Sequence, residues 1–179
     1  MFSETPSSTM SERRSHMEHM HRKVVIGIGE IIAGDRGLGK HALRLLKQRY
    51  STRDDIEFIG AGIDFDFRTI LEESSHVLIL DAADMGRTPG TIIELAGHDI
   101  TLFGGFRLLA HQHDLLEVFE EVSQKGMLPE LLHFIGMQPN HYAPGFSLSK
   151  EVCLAMPAYL QSADVVLRAW PSLHETLHT

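Results

Sequence analysis

The stretch "KVVIGIGEIIAGDRGLGKHALRLLKQRY", Lys23–Tyr50, decides the fold. Lys23 to Gly29 is an apolar, β-branched run that closes on glycine, the pattern of a strand buried on both faces. After a Gly-rich turn the period changes. Leu38, Ala42, Leu45 and Leu46 recur at helical spacing, so a helix is expected next. Strand, turn and helix in that order form the first half of a parallel crossover unit.

The alternation continues outward from this stretch. "DIEFIGAG" (55–62) reads as a second strand and "DFRTILEES" (66–74) as a short helix. "SHVLILDAADMG" (75–86) holds a third strand, Val77 to Leu80, that ends on Asp81, and "GTIIELAG" (90–97) reads as a fourth. In "HDLLEVFEEVSQKG" (113–126) the apolar positions are helical and Gly126 is placed to end the helix. "LLHFIGMQ" (131–138) is a late strand, and residues 148–170 read as a helical region that Pro157 kinks or restarts. The expected class is α/β, a three-layer α/β/α sandwich around a mostly parallel twisted sheet, in one domain over 23–179. Residues 1–22 are polar, lack the apolar core of a secretory signal and read as a disordered tail, in which His16, His19 and His21 are at most loose metal ligands.

Bulk numbers exclude several functions. The net charge of -8 argues against a non-specific nucleic-acid binder, which needs a basic face for phosphates. A single cysteine, Cys153, rules out an internal disulfide and a cysteine-rich zinc site, and it reads as a packed thiol in the C-terminal helix. A reducing cytoplasm and no membrane partner fit this composition, since no apolar run approaches spanning length.

"GDRGLGKH" (34–41) resembles a P-loop but departs from it. His41 stands where a magnesium-binding Ser or Thr is required, and Gly29 to Ala33 separate the strand from the first loop glycine. The glycines need only let the chain turn tightly from strand to helix. Sites in open parallel sheets gather beyond the strands' carboxyl ends, which brings Glu30, the loop to Gly39, Gly60 to Asp64, and Asp81 to one edge. Asp81 follows four apolar residues, where folding has no need of a carboxylate. His113 lies just before the amphipathic helix, with His111 as a competitor two residues away. A carboxylate and an imidazole converging on a sheet edge suit a divalent metal, and either is also able to serve the local turn or helix start.

Four segments then coincide with one family. "GIGEIIAGDRGLG" (27–39) resembles G-x-G-N-x-[IL]-x-x-D-[DE]-G-x-G. "LILDAADMGRTPGTI" (78–92) resembles a strand-end Asp followed by a short loop and Pro-Gly. "HDL" at His113 matches a His followed by an acid or amide, and "FIGMQPNHYAPGFSLSKEV" (134–152) matches [VI]-G-[IV]-x-P-x-x-x-x-P-G-x-x-L-[ST]-x-x-V. In order from Val24 to Val152, the chain resembles the hydrogenase maturation proteases.

The resemblance implies an endopeptidase that removes the C-terminal extension of a nickel-iron hydrogenase large-subunit precursor after nickel insertion. The substrate's nickel, rather than a permanently bound ion, would be the recognition element, held by two carboxylates and a histidine. Asp81 and His113 fall on two of those positions and are the expected catalytic residues. The third falls on Arg36, which has only donors and cannot ligate a cation. Glu30 stands where the family usually has Asn, and "GAGI" (60–63) replaces D-G-G-[ST]. Two readings follow. In one, Glu30 supplies the missing ligand, Asp35 being less suited because the family already has an acid there, and Arg36 grips the substrate. In the other, the chain is a non-cleaving accessory protein of hydrogenase assembly with an impaired metal site. A monomer is the simplest expectation for either.

Overall fold

The computed structural model describes residues 22–62, 64–102 and 110–172, and gives the backbone alone at 101–102 and 110–114. The disordered-tail expectation falls almost wholly outside these residues. Among them are five strands: β1 (Lys23–Ile28), β2 (Ile56–Ala61), β3 (His76–Ala82), β4 (Ile92–Ala96) and β5 (Leu131–Met137). The helices are α1 (Leu38–Arg49), α2 (Phe67–Glu73), α3 (Asp99–Leu102), α4 (Ala110–Gln124) and α5 (Lys150–Ala169).

The sheet order is β2-β1-β3-β5-β4, with β4 antiparallel to β5 and every other pair parallel. β1 and β3 are buried along their whole length, as continuous apolar runs in a covered parallel sheet must be. Alternate residues feed two cores. Leu78, Leu80 and Ala82 of β3 meet α1 and α5 on one face. Val77, Ile79 and the following Ala83 meet α2, α3 and α4 on the other. The three-layer expectation therefore holds.

Two glycines let α1 lie directly on the sheet. A Cβ at Gly27 would stand 2.4 Å from the Gly39 carbonyl oxygen, and one at Gly39 would stand 2.2 Å from that of Leu80. The P-loop likeness is thus a by-product of close helix–strand packing.

Local details depart from the sequence expectations. Leu45 is 39% exposed, and Leu43 packs inward in its place. α4 begins at Ala110, so His113 lies inside its first turn rather than before it. α5 runs unbroken through Pro157; its inward row of Val152, Met156, Tyr159 and Ala163 anchors it to the core on both sides of the proline. Cys153 is exposed rather than packed, because Val152 and Met156 occupy that inward row. No helix of the described residues is long and apolar enough to cross a membrane.

Candidate functional site

The carboxyl ends of β1, β2, β3 and β5 form one edge, and the glycine-rich turn after β1 covers part of it. That turn is a short 3-10 segment, Gly34–Gly37. It is fastened to the loop after β5 by Gly34 N–H donating to Gly145 O (2.8 Å) and Gly145 N–H donating to Ile32 O (2.9 Å).

Asp35 closes the same seam. It is fully buried and accepts from the backbone N–H of Ser149 (2.6 Å), Asn140 (2.9 Å) and His141 (3.4 Å). Burial pushes its carboxyl up, but these donors together hold it below the ordinary carboxylate value. Both oxygens are engaged, so Asp35 serves as a loop anchor and not as a spare metal ligand. Asp35→Asn is expected to destabilise the fold by about 2 kcal/mol at pH 7, since a bond to a charged group contributes roughly 1.5–3 kcal/mol. With the folded value depressed, this stability is present above about pH 4 and fades as pH falls through the lower folded value. Urea unfolding of both proteins should show the difference shrinking toward pH 3.

Asp81 is fully buried at the end of the central strand, and its Oδ1 accepts the Ala82 N–H at 2.7 Å. Strand alternation gives it the face of Val77, Ile79 and Ala83, which is the face that α4 covers. On the opposite face, the buried Tyr159 hydroxyl lies 2.7 Å from Ile135 O and 3.2 Å from Asp81 O, tying α5 to the ends of β5 and β3. Burial, and then the Asp81 charge, pushes the Tyr159 hydroxyl well above its usual value, so it is a fixed donor.

α4 returns the chain to the start of the parallel strand β5 and runs antiparallel to it, so its first turn lies at the same edge as Asp81. The His113 and His111 side chains lie outside the described residues. Their register positions are still informative. His111 shares a helical row with Leu115, Val118 and Val122, which are buried or half-buried, whereas His113 shares one with the exposed Glu117, Glu120 and Gln124. This signal was present in the sequence, in the phase of the apolar positions.

A cavity of about 50 Å³ with an almost wholly apolar lining opens at the ends of β1 and β2 between Ile28, Ala33, Ala61 and the backbone of Gly29 and Gly62, with parts of Glu30 and Arg36 completing its wall. Glu30 accepts from Lys40 Nζ at 2.9 Å, in a pair whose carboxylate side chain is 51% exposed. Arg36 Nε is buried and donates to nothing among the described residues. No three His, Cys, Asp or Glu side chains stand together as a metal site among the described residues. The edge thus joins Asp81 and the histidine-bearing turn on one face of the sheet, and keeps Glu30 on Lys40.

One residue that the sequence reading treated only as a strand end also shapes this edge. Gln138 Oε1 accepts from Met85 N–H (2.6 Å) and Arg87 N–H (3.1 Å), and its Nε2 donates to Asp84 (3.1 Å). It holds the loop that leaves Asp81. A Gln before a Pro at a strand end was the available signal, but its partners lie more than fifty residues away in sequence and do not reveal themselves by spacing.

Known proteins share this architecture. The chain is 30% identical over 152 residues to the hydrogenase expression/formation protein HupD of Rhizobium leguminosarum bv. viciae, covering 83% of this chain and 75% of that one. It is 25% identical over 149 residues to the hydrogenase 2 maturation protease of Escherichia coli, covering 82% and 91%. The solved structure of the hydrogenase maturating endopeptidase HybD from E. coli superposes with a TM-score of 0.70 at 25% identity, over 82% of this chain and 92% of that one. A family model described as hydrogenase maturation protease matches residues 41–164, more than half of the chain, and the chain therefore belongs to the hydrogenase maturation protease family.

Proposed function

We propose that the chain is the endopeptidase that removes the C-terminal extension of a nickel-iron hydrogenase large-subunit precursor once nickel is in place. The observation that carries this is Asp81, a carboxylate buried at the end of the central strand on the face shared with the histidine-bearing turn. Such a group costs stability unless function retains it. Nickel belongs to the substrate. Asp81, a histidine of the first α4 turn and Glu30 grip it, and Arg36 binds another part of the precursor. The peptide bond is thereby fixed at the sheet edge, where water adds to the carbonyl carbon and the leaving nitrogen takes the proton. The matched segments select His113; helix register favours His111.

Glu30 suits the third place despite its pairing with Lys40. An exposed ion pair contributes only about 0–1 kcal/mol, so a divalent ion displaces Lys40 at little cost. Glu30→Gln is expected to lower cleavage about tenfold to a hundredfold, as loss of a group that supports a metal does. Wild-type rates in that variant would remove Glu30 from the set. The test of the function itself is incubation of nickel-loaded precursor with the protein, followed by mass spectrometry. A shortened large subunit is expected, and an intact one sinks the protease reading.

The second reading is a non-cleaving accessory protein of hydrogenase assembly. It is favoured by a specific observation, the cation Arg36 in the cavity wall beside a Glu30 already held by Lys40. It predicts stable binding of the precursor without a shortened product.

A further inference from the structure

We infer that the seam between the glycine-rich turn and the loop after β5 is a docking platform for apolar residues of the precursor that flank the bond to be cut. The inference rests on the protease reading for the identity of that polypeptide. Phe146 is 78% exposed, Ile32 59%, Ile31 41% and Tyr142 40%. Neither Ile31 to Ile32 nor Tyr142 to Ser147 includes a charged residue. Single exposed apolar residues are ordinary, but a cluster of them marks an interaction site.

The cluster is one surface because the backbones that carry it are bonded to each other. Ile32 and Phe146 flank the same bridge, Ala33 to Gly145, in which Gly145 N–H donates to Ile32 O at 2.9 Å. A Cβ at Gly34 would stand 2.5 Å from Ala143 O, so the residue after Tyr142 also lies against the turn. The exposure is not looseness. The buried Asp35 carboxylate takes the N–H groups of Asn140, His141 and Ser149, on both sides of Phe146. An apolar surface held in place in advance loses little entropy when it is covered.

Position selects the occupant. β1 and β5 both pair with β3 in parallel, so a bridge between the segments that leave them passes across the carboxyl end of β3, which carries Asp81. The turn and the loop lead into α1 and α5, which pack on the face opposite the Asp81 side chain. A polypeptide held at Asp81 that continues over the end of β3 therefore meets Ile32 and Phe146. With no charge on the platform, apolar side chains are the ones it accepts. A second copy of the chain suits it less. The exposed parts of these side chains come to roughly a few hundred Å², against about 800 Å² per partner in a standard interface. The polar residues 1–22 offer no apolar run to cover it.

The test measures both binding and cleavage of nickel-loaded precursor by the full chain and by Phe146→Ser, Ile32→Ser and Val165→Ser. Val165, 66% exposed toward the other end of α5, is the control. Phe146→Ser should raise Kd and KM about tenfold to a hundredfold, as expected for the loss of a large buried apolar group, with kcat nearly unchanged. Ile32→Ser should act in the same direction, and Val165→Ser should change neither constant. Precursors in which the apolar residues beside the cut are replaced by Ser one at a time should include one that binds parent and Phe146→Ser equally. Equal Kd for the parent and Phe146→Ser with unaltered precursor overturns the inference, whether or not the chain cleaves. So does an equal loss in Val165→Ser, or a Phe146→Ser penalty that survives every altered precursor. Other occupants show in the same proteins. A clear fall in Tm in Phe146→Ser means that the chain covers its own ring, and a parental dimer that Phe146→Ser dissociates in sedimentation means a second copy; either result overturns the inference. A chain that binds precursor through Phe146 yet cuts nothing sinks the protease reading and leaves the platform standing.

Discussion

Asp81→Asn is expected to lower precursor cleavage by about 10²- to 10⁴-fold, the range for removing a charged group that acts directly in a reaction. Asn keeps the volume of the side chain and an oxygen to accept the Ala82 N–H, so that bond survives the loss of charge. β3 is buried along all seven residues, and the sheet would be at least as well served by an apolar side chain at this register. The variant should therefore keep its far-ultraviolet circular dichroism and lie within about 2 kcal/mol of the parent in urea. A folded Asp81→Asn protein that cuts precursor at the parental rate removes Asp81 from the reaction. Ala variants of the two α4 histidines belong in the same assay. Register places the larger loss at His111, and a larger loss at His113 would favour the sequence match instead.

The fold was legible because its signals are local. β1 and β3 announce themselves as continuous apolar runs, and the changes of period after Gly37 and at α4 mark helices without knowledge of any contact. Asp81 was legible for the same reason, as a charge breaking an apolar run at a strand end. What stayed hidden depends on partners distant in the chain. Asp35 looks like a free acid in a glycine-rich turn, yet it is used up by backbone donors more than a hundred residues away. Glu30 looks like an unpaired acid beyond a strand end, and its pairing with Lys40 across the turn is visible only in the structure. Leu45 and Leu43 show the limit of spacing rules: both lie near the edge of the apolar stripe of α1, and only the packing of α1 on β1 and β3 decides which one turns inward.

The largest effect on stability is expected far from the site, at the opposite edge of the sheet. Asp55 and Lys23 are buried together, each with a 5% exposed side chain, at 2.8 Å. Arg53 clasps the same carboxylate at 2.6 and 2.9 Å, and Lys23 also donates to Pro171 O, which fastens the chain after α5 to the start of β1. The Arg53 hydrogen bonds, aided by Lys23 and opposed by burial, hold the Asp55 carboxyl well below the usual carboxylate range. Asp55→Asn leaves the Lys23 ammonium buried without its counter-charge, and a broken buried pair costs about 3–5 kcal/mol. For a chain of this length that is a fall in Tm of roughly 10 °C. The sign with pH is fixed by the depressed folded value: the contribution is complete above about pH 4 and is lost as pH falls through that lower value, so parent and variant should converge in acid. Replacing both partners, Lys23→Met with Asp55→Leu, should recover much of the loss, because the cost lies in the stranded charge and not in the missing attraction. Activity per folded molecule should not change. Lys23 opens β1 and Glu30 lies beyond its end, about 20 Å apart at the rise of an extended strand, so the clasp and the cleavage edge are joined only through a rigid sheet. A loss below about 1 kcal/mol in Asp55→Asn would mean that water reaches Lys23 and that the clasp is not closed in solution.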